Sequence, residues 1–68
     1  MGGLTNNINR VLLEKGIKQI CLAEKLGKRF IIVNSYVCNR RQPSLELLFQ
    51  IAESLQVNSK DLMNYPNE

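Results

Sequence analysis

Three residues at fixed spacing constrain this chain more than anything else in it: Ala23, Gly27 four positions on, and Val33 six further. An alanine lets a second helix cross close by. A glycine permits a left-handed turn, and a valine anchors the second helix to a core. Residues 19 to 36 are therefore expected to form helix, tight turn, helix. The outer face of residues 29 to 37 is left free, and the rest of the chain becomes a scaffold that holds this face out.

The remaining segments supply that scaffold. Residues 4 to 15 carry Ile8, Val11, Leu12 and Lys15 along one face at helical spacing, with Thr5 or Asn6 able to cap the start and Gly16 to end it. Residues 18 to 26 place Leu22, Ala23 and Leu26 inward before Gly27, but Lys18 stands where a capping Ser or Thr would serve. The third helix is expected over residues 29 to 37, with Val33, Tyr36 and Val37 inward. Phe30, Ile31 and Ile32 are consecutive and so span most of a turn, which sends at least two of them outward.

A polar connector, residues 38 to 43, is closed by Pro43. Ser44 then caps a fourth helix through Leu55, with Glu46 in its first turn and Leu45, Leu48, Ile51, Ala52 and Leu55 as its stripe. Phe49 lies beside the stripe. Ser59 is expected to cap a fifth, short helix from Lys60 to about Tyr65, with Leu62 inward and Pro66 ending it. The domain is expected over residues 6 to 64, between a flexible N-terminus (1 to 5) and a C-terminal tail (65 to 68).

At 68 residues the chain makes one small domain, whose apolar residues are almost all needed for a single core. No apolar run approaches the roughly 18 residues that span a bilayer, and the N-terminus lacks the charged and apolar regions of a secretory signal. A cytoplasmic protein is expected. There is no histidine, and Cys21 and Cys38 stand far apart, so neither a metal site nor a cofactor is expected. A disulfide between them is open on sequence, although a cytosolic chain normally keeps both reduced. Without a Gly-rich phosphate loop or clustered carboxylates, no nucleophile and base can be assembled, and an enzyme is not expected.

Charge is more informative. Residues 15 to 41 hold seven basic side chains (Lys15, Lys18, Lys25, Lys28, Arg29, Arg40, Arg41) against Glu24 alone, a local +6. The remainder carries −3, which gives the net +3. A basic middle between acidic ends points to one polyanion-binding face, although such a bias is also met on plain solvated surfaces.

The pattern Gly16-Ile17-Lys18-Gln19, Leu22-Ala23-Glu24-Lys25-Leu26-Gly27, Val33, Tyr36, Pro43-Ser44-Leu45, Leu48, Ile51-Ala52, Leu55 and Val57 covers most of residues 6 to 63. It resembles the Xre family, the Cro and phage-repressor type of helix-turn-helix domain. The resemblance implies an all-α, compact five-helix, lambda-repressor-like fold. It also implies a bacterial or phage regulator of transcription, a repressor that binds double-stranded DNA with helix three in the major groove.

By the same resemblance, bases are read by Arg29, Phe30, Ile31, Asn34 and Ser35. Phosphates are met by Gln19, Lys18, Lys28, Arg40 and Arg41 and by the backbone of Asn39. Gln19 either contacts a phosphate or orients a neighbouring side chain that reads a base. Arg29 can grip guanine O6 and N7 or pair with a phosphate, and Asn34 can read adenine or bond locally. Phe30 and Ile31 depart from the polar residues common in the family and could pack on thymine methyls. The competing reading folds Phe30 and Ile32 back against helix two or onto a partner protein. Arg29 replaces the family's usual Ser or Thr, which removes a helix cap. Asn39 stands where Gly is frequent and can still adopt the left-handed conformation.

Symmetric half-sites imply a homodimer. With no separate dimerisation domain, it would use helices four and five, with Phe49, Met63 and Tyr65 as candidates. Such an interface is small, hence weak without DNA. The alternative is an antitoxin-like or accessory interaction module that docks a partner protein through the Phe30-Ile31-Ile32 patch or the Phe49 region.

Overall fold

The computed structural model describes residues 5–64, Asn64 by its backbone alone. In chain order these residues form β1 (Thr5–Asn6), α1 (Ile8–Lys15), α2 (Gln19–Leu26), α3 (Phe30–Val37), α4 (Leu45–Leu55), a 3-10 helix (Ser59–Leu62) and β2 (Met63–Asn64). The expected fifth α-helix is thus a single 3-10 turn. Its last residue gives way to the extended backbone of Met63 (φ −115°, ψ 140°), which pairs antiparallel with β1, Asn6 opposite Met63 and Thr5 opposite Asn64. Ser59 lies inside that turn, so it does not cap it, and Asn58, the residue before it, makes no side-chain cap bond. Tyr65 and Pro66 lie outside the described residues, as does Leu4.

The first helix begins at Ile8, later than residue 4, because Thr5 and Asn6 are drawn into the strand pair. The Asn6 side chain still serves the helix start, as its Oδ1 accepts from Ile8 N at 3.1 Å. Helices two and three each begin one residue later than expected, with Lys18 and Arg29 as extended N-cap residues.

All four α-helices of the described residues end in the same way. In each, one left-handed residue turns the chain, and two backbone N–H groups reach back to carbonyls of the last turn. The left-handed residues are Gly16 (φ 67°), Gly27 (φ 66°), Asn39 (φ 62°) and Gln56 (φ 60°). In α1, Gly16 N donates to Leu13 O and Ile17 N to Leu12 O; in α2, Gly27 N donates to Glu24 O and Lys28 N to Ala23 O. In α3, Asn39 N donates to Tyr36 O and Arg40 N to Ser35 O; in α4, Gln56 N donates to Glu53 O and Val57 N to Ala52 O. Repetition of this stop keeps the helices short and redirects each one across the same core.

That core is built on Ile8, Leu22, Val33, Ile51, Leu55 and Leu62, each nearly inaccessible to solvent. Ala23 is 2% exposed where α2 meets α3, as a small residue at a close crossing should be. On α4 the buried stripe is Leu47, Leu48, Ile51, Ala52 and Leu55, whereas Leu45, expected inward from its spacing, is 66% exposed. Leu45 occupies the first helical position, where the side chain leans back past the start of the helix, and Leu47 fills the place one turn before Ile51. Ser44 caps this helix, its Oγ accepting from Leu47 N at 3.2 Å.

Candidate nucleic-acid interface

The turn between α2 and α3 fixes where the outer face of α3 points. Ala23 O accepts from Lys28 N, Val33 is buried beneath, and Tyr36 and Val37 continue the inward side of α3. Phe30 (45% exposed) and Ile31 (66%) are left outward, while Ile32 is half-buried and packs against the core. Of the three consecutive apolar residues, two therefore face out, and of the alternatives for Ile32 the structure shows the inward one.

Neither α2 nor α3 has a side-chain cap, since Lys18 and Arg29 stand at their N-cap positions with extended backbone. The first N–H groups of both helices thus lack side-chain acceptors, whereas α4 has Ser44. An uncapped helix start offers N–H donors and the positive end of the helix dipole to an anion.

Three polar side chains from three separate segments are joined in a line. Arg40 donates through a guanidinium nitrogen to Asn34 Oδ1 at 2.6 Å, and Asn34 Nδ2 donates to Gln19 Oε1 at 2.9 Å. The start of α2, the middle of α3 and the loop after α3 are thereby tied together. Ser35 turns its hydroxyl to Ile32 O at 2.6 Å, a local bond within α3.

The loop after α3 is braced from below. Asn39 Oδ1 accepts from Asn6 N at 2.8 Å and from Gln42 Nε2 at 3.0 Å, while Asn39 Nδ2 donates to Asn6 O. Asn6 is 5% exposed, and its Nδ2 donates to Tyr36 O at 2.8 Å and to Gln42 Oε1 at 2.9 Å. Asn39, expected to meet phosphate through its backbone, spends its own N–H on Tyr36 O. Its side chain ties the loop after α3 to Asn6 and Gln42. Asn6 and Gln42 join the site without any sign in the sequence. The partners of Asn6 in this network lie 30 to 36 residues away along the chain, so no local pattern could reveal them.

Around this line, Lys18, Lys28, Arg29, Arg40 and Arg41 are all exposed. Among the described residues the sole ion pair, between Arg10 and Glu14 at 3.8 Å, involves none of them. Five cations without acidic partners, beside two uncapped helix starts, form a surface suited to phosphates. Lys18, Gln19 and Phe30 also border an open, mainly apolar groove of about 400 Å³ that continues along Leu12, Leu13 and Ile20.

A family model for helix-turn-helix domains matches residues 8–62. The chain belongs to the Xre-type helix-turn-helix family. The match runs from the first residue of α1 to the last of the 3-10 helix, so α1 to α4 and the turns that position the site lie within the family's domain. Among solved structures, one described as "a putative DNA-binding protein from Bacteroides fragilis" is 37% identical and superposes with a TM-score of 0.89. The match covers 91% of this chain and 100% of the other. Among curated proteins nothing matches. Members of the family are typically not enzymes. Among the described residues no helix is long and apolar enough to cross a membrane, and no group of His, Cys, Asp or Glu could hold a metal ion.

Proposed function

We propose that this DNA-binding helix-turn-helix protein is a sequence-specific transcriptional regulator, a cytoplasmic repressor that lays α3 in the major groove of duplex DNA. The observation that carries this reading is the Gln19–Asn34–Arg40 line. It joins the start of α2, the exposed side of α3 and the basic loop into one surface, and none of the surrounding cations has an acidic partner among the described residues.

The two kinds of contact separate by chemistry. Lys18, Lys28, Arg40 and Arg41, with Gln19, meet phosphates, which gives affinity without base information. Arg29, Phe30 and Ile31 lie at the start of α3 and reach base edges, Arg29 by hydrogen bonds to guanine and the apolar pair by packing on thymine methyls. Ser35, with its hydroxyl proton engaged at Ile32 O, retains lone pairs to accept from a base or to allow close approach.

A single unit reads only a few base pairs, so two copies on half-sites about one helical turn apart complete the operator. Leu45 and Phe49, one turn apart on α4 and both more than half exposed, are the apolar pair available to a homodimer. Selection of bound duplexes from a random pool tests the proposal. Enrichment of a two-fold symmetric site rich in T-containing steps is expected, and a pool that stays random ends sequence-specific recognition.

A second reading has its own observation. The apolar groove with Leu13, Ile20 and Phe30 exposed along it would suit an accessory or antitoxin-like module that docks a protein partner. Failure to bind DNA, together with retention of a partner through this groove, would favour it.

A further inference from the structure

We infer that Asn34 is a positioning residue rather than a base reader: it sets the direction of the Gln19 amide and the place of the Arg40 guanidinium, and so presents two phosphate grips as one unit. This rests on the DNA-binding reading above.

Donor and acceptor chemistry fixes the direction of the whole line. A guanidinium has donors only, so the Asn34 atom that meets Arg40 must be its carbonyl oxygen. The other end of Asn34 is then the NH2 group, and what it meets on Gln19 must be an acceptor, Oε1. That leaves Gln19 Nε2 pointing away, with no protein partner among the described residues. A free glutamine amide is two-faced and can offer a phosphate either a donor or a repelling oxygen. Here the polarity is relayed from Arg40 through Asn34, so that Gln19 offers the donor.

Position supports the same conclusion. Asn34 is half-buried between its partners, a full turn beyond Phe30 and Ile31, which occupy the exposed first turn. One N–H and one lone pair of Asn34 remain, so its amide is not exhausted. Its two observed contacts, however, come from opposite ends and clamp it between α2 and the basic loop. Holding both grips before DNA arrives reduces the side-chain freedom lost on binding.

The test is a set of affinities for one selected duplex and for its single-base variants, measured on the wild type, Asn34→Ala, Asn34→Asp, Gln19→Ala and Asn34→Ala with Gln19→Ala. Asn34→Ala should weaken binding about tenfold on all duplexes alike and leave their ranking unchanged. Part of that loss should disappear when Gln19 is already alanine, because the share carried through the Gln19 amide is then gone while the share carried through Arg40 remains. Asn34→Asp should lose more than Asn34→Ala, since a carboxylate recruits Gln19 Nε2 inward, turns Oε1 toward phosphate and adds a negative charge. Thermal melts of each variant show that the fold survives.

A change of ranking at one base pair with Asn34→Ala would overturn the inference, as would full additivity with Gln19→Ala. Both results would leave DNA binding standing. A wild type that binds no duplex at low salt would instead remove the DNA-binding reading itself, and this inference with it.

Discussion

Asn6 and Asn39 hold each other across 33 residues of chain. The side-chain amide of Asn39 accepts the Asn6 N–H at 2.8 Å and donates to the Asn6 carbonyl at 3.3 Å, as a neighbouring strand would. The backbone of Asn39 is meanwhile the left-handed stop of α3, so one residue ends the helix and anchors its exit to the N-terminal strand.

Replacement of Asn6 should therefore cost more than a surface change. Asn6→Leu would leave Tyr36 O and Ile8 N without their side-chain partners in a buried place, a loss of roughly 2–3 kcal/mol. Chemical denaturation checks this, and a change below about 0.5 kcal/mol would show that the network is not under load.

Gln56 carries the one left-handed stop of the four that is neither Gly nor Asn. A side chain with Cβ in that conformation costs about 1 kcal/mol, so Gln56→Gly should stabilise the domain by roughly 0.5–1 kcal/mol. For a domain this small, the melting temperature should rise by a few degrees.

Arg40→Ala with Arg41→Ala should weaken binding to every duplex by a similar factor. Because two phosphate contacts are lost, the slope of log K against log salt should become shallower by about 2. Titrations at several salt concentrations measure both effects, and an unchanged slope would remove these arginines from the interface.

Ile31→Ala should act differently, by relaxing preference at particular base pairs by about 1–3 kcal/mol while leaving the salt slope alone. Replacing thymine by uracil at the affected step removes the methyl group itself. It should weaken the wild type and leave Ile31→Ala nearly unaffected.

Much of this molecule can be read from its sequence, for identifiable reasons. Gly16 and Gly27 mark helix ends because few other residues turn left-handed at low cost, and Ser44 marks a start because its hydroxyl can replace a helical acceptor. Ala23 and Val33 locate the crossing of α2 and α3. The features that escape the sequence are either ambiguous in phase or distant in chain. Leu45, Leu47 and Leu48 crowd one turn of α4, and spacing alone selects Leu45 where packing selects Leu47.

A last helix is expected from the Ser59 cap and Leu62, but the chain is taken after one 3-10 turn by the strand partner Asn6, which no local signal announces. The same holds in the interface. Lys18, Arg29, Arg40 and Arg41 are evident as charges, but the line from Gln19 through Asn34 to Arg40 depends on a fold that brings residues 15 apart to hydrogen-bonding distance.

Binding of duplex DNA by this surface is measured by titrating the full chain with a labelled random duplex at low and at moderate salt. Measurable binding at low salt is predicted, weakening steeply as salt rises because counterions are released at the phosphates gripped by Lys18, Lys28, Arg40 and Arg41. No binding even at low salt would contradict duplex binding by this surface.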